Sequence, residues 1–320
     1  MNDAIRLTDV TKRFNGVAAV DRLTLSVPQG SIYGFIGPNG SGKTTTLRMI
    51  MSILLPDDGR IEVLDSSTGA PRPGSERPER KPKAVAARDH VSYLPEERGL
   101  YKKMTVRRLL RYYGQLKGRA IADLDPPIDE WMARMGMQDW DGRKIETLSK
   151  GMSQKVQFVA AVVSKPQLLI LDEPFSGLDP VNAEALKDAV LEMRRRGTTV
   201  VFSTHDMATA EKMCDRIFMI FRGRKVLDGT LEEIQAQYGF DTIRLRTAAG
   251  AGALAGMTGV DAVNDYGQLQ EVRLSCDSQR FLQQLAAKTP VHHFEITRPS
   301  LHDIFVRIAR PSEHESRADT

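Results

Sequence analysis

Short apolar runs rich in β-branched residues alternate with helical periodicity over roughly the first 230 residues. The runs at 32–36, 91–94, 168–171, 199–202 and 217–221 predict strands. They are almost continuously apolar, as suits a sheet buried on both faces in an α/β fold. Helices are predicted at 43–53, 106–117, 152–164 and 181–196, the last closed by Gly197. Near Gly239 the pattern changes. Alternating strands at 242–245 and 272–274 flank a Gly/Ala-rich piece at 248–259, followed by a predicted helix at 278–287 and a strand at 293–297. A last helix begins at Ser300, where Asp303 completes a capping box ahead of Ile304-Phe305. A small α+β domain is expected at 240–310, with a loose polar tail at 311–320. The stretch 71–83, rich in Pro, Gly, Ser and charge, is expected to be a flexible surface loop.

At 320 residues the chain has length for two domains with proper cores. None of its apolar runs is long enough to cross a bilayer, and Met1 to Arg6 lacks the layout of a signal peptide. A cytosolic protein is expected unless another chain carries it to a membrane. Cys214 and Cys276 share no metal-like spacing, and Cys214, ahead of an apolar strand, reads as a core thiol. The formal charge of +4 comes from 45 basic and 41 acidic residues. Between Arg72 and Arg88 stand six basic and two acidic residues, so this one stretch carries the whole excess. A distributed basic face is not indicated, and no nucleic-acid partner is expected. The run Arg194-Arg195-Arg196 reads as a solvated helix end.

The chemistry begins at Gly37-Pro38-Asn39-Gly40-Ser41-Gly42-Lys43-Thr44, which fits G-x-x-x-x-G-K-[ST] between a predicted strand and a predicted helix. Glycines let successive N–H groups point at one phosphate, and the helix N-terminus adds its positive pole. In such a loop Lys43 bridges phosphate oxygens and Thr44 offers its hydroxyl to Mg²⁺. A second apolar strand delivers Asp172, a ligand for the Mg²⁺ shell, and Glu173, a base for the attacking water. His205 and Glu96 each follow another strand, and active groups gather at the carboxyl ends of strands in such sheets.

Leu148-Ser149-Lys150-Gly151-Met152-Ser153-Gln154-Lys155 precedes the Asp172 strand, and Ser176-Gly177-Leu178-Asp179 follows it. Together with the phosphate loop, Glu96 and His205, this order resembles the ATPase subunit of an ABC transporter over residues 4–235. The resemblance implies an α/β P-loop NTPase fold of ABC type in a domain at 1–235. Its parts would be a RecA-like core sheet with helices on both faces, an antiparallel β subdomain and a helical signature subdomain at about 100–165. It implies ATP and Mg²⁺ as cofactors, with the nucleotide on Gly37, Pro38, Asn39, Gly40, Ser41, Gly42, Lys43, Thr44 and Thr45 and Phe14 stacked on adenine. Catalysis would fall to Glu173, His205 and Lys43, and the metal to Thr44, Glu96 and Asp172. It also implies a second ATPase subunit, identical or a close paralogue. Ser149 and Gly151 would reach that partner's nucleotide, and Asp179 would couple the two sites.

Phe14 stands where Tyr is commonest, Glu96 holds the usual Q-loop glutamine position, and Lys150 and Met152 depart from the signature LSGGQ. Residues 93–101, Lys150 and the terminal stretch 299–305 together resemble ATPases of bacterial exporters of the sodium-efflux-related group, which carry a small C-terminal domain. The expectation is an ATP-hydrolysing subunit that powers export through a separate transmembrane permease, lying on the cytoplasmic face of the cell membrane. The competing expectation is a soluble ABC ATPase acting on a cytosolic complex.

Overall fold

The computed structural model of the chain describes residues 3–64, 66–69, 89–96, 99–238 and 242–309. The expected loop at 71–83, the basic stretch at 72–88 and the tail at 311–320 lie outside the described residues. The chain divides into two compact units, Met1–Thr230 and Leu231–Thr320, so the short helix at 231–236 falls in the second.

In the first unit, β1 (Asp3–Phe14) pairs antiparallel with β2 (Val17–Pro28), while β4 (Asp58–Val63) and β5 (Ser66–Gly69) extend this sheet in the order β2-β1-β4-β5. A second sheet contains β3 (Ile32–Ile36), β6 (Val91–Leu94), β7 (Leu168–Asp172), β8 (Thr199–Thr204), β9 (Arg216–Phe221) and β10 (Arg224–Gly229). Its order is β10-β9-β3-β8-β7-β6, parallel throughout except for β10. The apolar runs are continuous because both faces are covered. Leu168 and Ile170 enter one core with Tyr33, Phe35 and Val201, whereas Leu169 and Leu171 enter the other with Ile32, Val200 and Phe202. Each such side chain contributes about 1.5–3 kcal/mol by leaving water.

The helices of this unit are α1 (Lys43–Ile50), α2 (Val106–Leu116), α3 (Ile121–Arg134), α4 (Lys150–Val162), α5 (Pro180–Arg195) and α6 (Met207–Met213). Helix α3, with Pro126 and Pro127 inside it, lies in the expected helical subdomain but has no counterpart among the individually predicted helices. It persists because Leu124, Ile128, Trp131 and Met132 bury one face. Gly114 of α2 permits the close approach, since a Cβ there would lie 2.3 Å from the Leu124 side chain. The arginine run at 194–196 is not merely solvated. Arg194 pairs with Asp215 at 2.7 Å, Arg195 with Glu192 at 2.9 Å, and Arg196 binds Glu192 and Glu130 while stacking over Trp131. Cys214 is a core thiol: it lies against Gly34, where a Cβ would sit 2.5 Å from its sulfur, and burial raises its pKa far above the usual thiol value.

The second unit begins with α7 (Leu231–Ala236). Its antiparallel sheet has the order β12-β13-β11-β14, built from β11 (Thr242–Thr247), β12 (Val260–Asp265), β13 (Gln270–Leu274) and β14 (Val291–Thr297). Helix α8 (Ser278–Lys288) lays Phe281 and Leu285 on Ile243, Leu245 and Val272 to form its core. Helix α9 (Leu301–Ala309) opens with the expected capping box. The Ser300 N–H donates to Asp303 Oδ2 at 3.0 Å, and the Asp303 N–H donates to Ser300 Oγ at 3.2 Å.

Candidate active site

Four adjacent parallel strands, β3, β8, β7 and β6, deliver Gly37, His205, Asp172-Glu173 and Glu96 to one edge of the sheet. That edge is where the carboxyl ends of the strands open into loops.

The loop after β3 is shaped by what surrounds it. Gly37 has φ +154° and Gly42 φ +109°; a Cβ at either would lie 2.3 Å from the Ile220 carbonyl oxygen or 2.6 Å from that of Ala19. Only glycine therefore fits at these two positions. The Ser41 hydroxyl oxygen is buried with no hydrogen-bond partner, in a concave backbone at the N-terminus of α1. An orphaned hydroxyl in such a cradle fits a phosphate oxygen. Lys43 is 6% exposed, and its ammonium donates to the carbonyls of Gly37 at 2.7 Å and Pro38 at 3.1 Å. Burial holds its pKa below the ordinary lysine value, against the opposing pull of Glu173, Asp172 and Glu96.

Asp172 is 1% exposed and gathers hydroxyls from three elements. Its Oδ1 accepts from Ser203 Oγ at 2.5 Å and Thr44 Oγ1 at 3.3 Å, and its Oδ2 accepts from the Tyr93 hydroxyl at 3.3 Å. Burial and the Asp172 charge push the Tyr93 phenol up to about 12, so it donates at neutral pH. A carboxylate beside a threonine hydroxyl is an oxygen set that fits a hard divalent cation such as Mg²⁺. Glu173 has φ +47°, a conformation uncommon outside glycine that costs about 1–3 kcal/mol. Its carboxylate lies 3.7 Å from Lys43 Nζ, and both of its oxygens lie 3.1 Å from His205 Nδ1. A buried ammonium, a buried carboxylate and a half-exposed imidazole thus meet where a polyanion can be bound and a proton accepted.

The remaining expected residues stand elsewhere in the first unit. Phe14 is 45% exposed at the end of β1, with Lys12 Nζ 5.6 Å from its ring centroid. Glu96 is exposed beyond β6, and its charge reaches Lys43. Thr45 lies half-buried in the first turn of α1. Ser149 caps α4 by accepting the Met152 N–H at 3.2 Å, and Asp179 caps α5 by accepting the Asn182 N–H at 3.0 Å. Gly151 is packed on Asn182, so these two helix starts adjoin. Among the described residues, no hydrogen bond or ion pair joins Ser149, Gly151 or Asp179 to Lys43, Asp172 or Glu173 of the same chain. Sequence reasoning missed Ser203 and Tyr93, whose one signal is a hydroxyl set within an apolar strand.

Asp206 anchors α6 directly after His205. Its carboxylate accepts the Thr209 N–H at 3.1 Å and the Thr209 hydroxyl at 2.6 Å. Burial pushes its pKa up, but the bonds from Thr209 and the Ala208 N–H outweigh it and leave the group below its ordinary 3.8. A lowered carboxylate pKa adds stability above the unfolded value and loses it as pH falls through the folded one. Asp206→Ala is therefore expected to cost about 1 kcal/mol in denaturant melts at pH 7. The difference from wild type should shrink as the pH falls below 3.8.

Residues 20–176 match the ABC transporter family, and residues 229–309 match the C-terminal domain of ATP-binding proteins like DrrA1-3. The uncharacterized ABC transporter ATP-binding protein YhaQ of Bacillus subtilis is 37% identical over 94% of this chain and 97% of its own length. The Nod factor export ATP-binding protein I of Sinorhizobium fredii is 30% identical over 95% of this chain and 85% of its own. A solved ATP-binding subunit of an ABC transporter superposes with a TM-score of 0.65 at 29% identity, covering 74% of this chain and 93% of that one. The fold and site define an ATPase of the P-loop class. Within it, the chain belongs to the ATP-binding proteins of ABC transporters and carries a DrrA-like C-terminal domain.

Proposed function

We propose that this chain is the ATP-hydrolysing subunit of an exporter, acting on a separate membrane permease from the cytoplasmic face of the cell membrane. The observation that carries the chemistry is the meeting of Lys43, Asp172, Glu173 and His205 at the ends of β3, β7 and β8. The lean to export is supported by relatives named for Nod factor export and for linearmycin and daunorubicin resistance.

In this reading the Lys43 ammonium exchanges its loop carbonyls for phosphate oxygens, and the Ser41 hydroxyl gains the partner it lacks. Thr44 and Asp172, with Glu96, would hold Mg²⁺, which when bound neutralises charge on the transferring phosphate. Glu173 accepts the proton of the attacking water on its carboxylate. His205 holds that carboxylate through Nδ1. Ser149 and Gly151 serve the nucleotide of a second copy or a close paralogue, so the cage closes and excludes water only on dimerisation. Phe14 stacks on the base, and Asp179 links the two sites.

No helix among the described residues is long and apolar enough to cross a membrane, so in this reading the permease supplies the path. The test is a membrane pull-down of tagged Glu173→Gln protein with ATP and Mg²⁺, partners being identified by mass spectrometry. A multi-span membrane protein in the eluate is the expected result. Recovery from the soluble fraction alone, with cytosolic partners, would overturn the transporter reading and leave the ATPase chemistry standing.

A further inference from the structure

The geometry points to Ser203 as a positioning residue for hydrolysis: one buried hydroxyl aligns both carboxylates of the site without contacting nucleotide. The inference rests on the reading of Glu173 as the base. Ser203 is fully buried in β8, directly opposite Asp172 in the parallel ladder. Its hydroxyl donates to Asp172 Oδ1 at 2.5 Å and accepts the Glu173 N–H at 2.9 Å. The direction of both bonds follows from chemistry. An ionised carboxylate only accepts and an amide N–H only donates, so the single hydroxyl proton goes to Asp172.

Glu173 needs such a hold because its backbone sits at φ +47°. A residue in that region persists only when its surroundings fix it. Ser176 N–H donates to the Glu173 carbonyl at 3.2 Å, and the buried Gln154 amide donates to the next carbonyl, Pro174, at 3.1 Å. Neither bond reaches Asp172. Ser203 alone among the described residues ties the strained backbone of Glu173 to the Asp172 carboxylate. Two residues further along the same strand direction, His205 Nδ1 meets the Glu173 side chain at 3.1 Å. The run 203–205 therefore grips Glu173 at both its N–H and its carboxylate.

Removing the hydroxyl leaves a buried N–H unpaired and leaves Asp172 Oδ1 with only the longer bond from Thr44, at 3.3 Å. The Glu173 turn then relaxes and its carboxylate shifts. A misplacement of about 1 Å costs on the order of 100-fold in rate, so Ser203→Ala is expected to lower kcat about 10- to 100-fold. KM for ATP should stay within about twofold, because the phosphate loop is untouched. The Mg²⁺ concentration for half-maximal rate should rise several-fold as Asp172 loosens. Ser203→Thr, which keeps the hydroxyl, should restore most of the rate.

The deciding experiment is a cycle on the full chain, with single-turnover ATP hydrolysis at saturating Mg²⁺ for wild type, Ser203→Ala, Glu173→Gln and the double variant. If Ser203 acts through Glu173, the loss it causes in wild type should nearly vanish in the Glu173→Gln background. An equal fold-loss in both backgrounds, or a wild-type kcat for Ser203→Ala, would overturn the assignment. Wild-type turnover by Glu173→Gln would instead overturn the reading of Glu173, an outcome the single variant shows by itself. Should Ser203→Ala fail to fold by circular dichroism, Ser203→Cys, close in volume but a weak donor, carries the same test.

Discussion

Glu173→Gln is expected to slow phosphate release about a thousandfold, within the range assigned to a positioned general base, while ATP stays bound. Glutamine keeps the shape of the side chain and can still meet His205 Nδ1, 3.1 Å away in the native site. It bears the same backbone strain at φ +47° and can accept the same support from Ser203. What it cannot do is take a proton from water. The substitution also removes one of the carboxylates that steady the Lys43 ammonium, 3.7 Å from Glu173 Oε1, but leaves Asp172 in place. Nucleotide retention should therefore survive. Phosphate release measured beside filter-bound ATP separates the two effects, and wild-type release with ATP bound would place the base elsewhere.

Lys43→Ala is expected to act one step earlier and remove nucleotide binding itself. The ammonium is 6% exposed and stands among Glu173, Asp172 and the more distant Glu96. Without it, a triphosphate entering the loop meets that negative charge without the buried ammonium to offset it. Two unit charges 4 Å apart at an effective dielectric of 20 interact by about 4 kcal/mol. Desolvation offsets part of that, leaving a loss of affinity on the order of 100-fold or more. Titration with a fluorescent ATP analogue checks it; an affinity within a few-fold of wild type would show that the loop holds phosphate by its N–H groups alone.

The sheet and the edge that carries the candidate site were readable from the sequence because local rules and tertiary demands agree there. β3, β7 and β8 are buried at every position, and their apolar runs announce the strands that lead to Gly37, Asp172 and His205. The capping box at Ser300 and Asp303 was readable for the same reason, being a local exchange of two bonds. Other features were hidden. β12 is an edge strand whose residues are nearly all exposed, so it shows no alternation. Helix α3 runs through two prolines because its buried face outweighs their propensity. The tie between Ser203 and Asp172 joins positions 31 residues apart, and only the strand register brings them opposite. The positions of Ser149, Gly151 and Asp179 are explained by helix capping and packing within the chain, and their proposed catalytic use lies across a second subunit.

That second subunit is the centre of the proposed function, in which closing two copies on ATP would complete each site. The most direct test is the solution mass of Glu173→Gln protein by light scattering, with and without ATP and Mg²⁺. The account predicts a monomer without nucleotide and a dimer with it, lost again on Ser149→Arg, which blocks the signature helix. A mass that stays monomeric while ATP is demonstrably bound would contradict it.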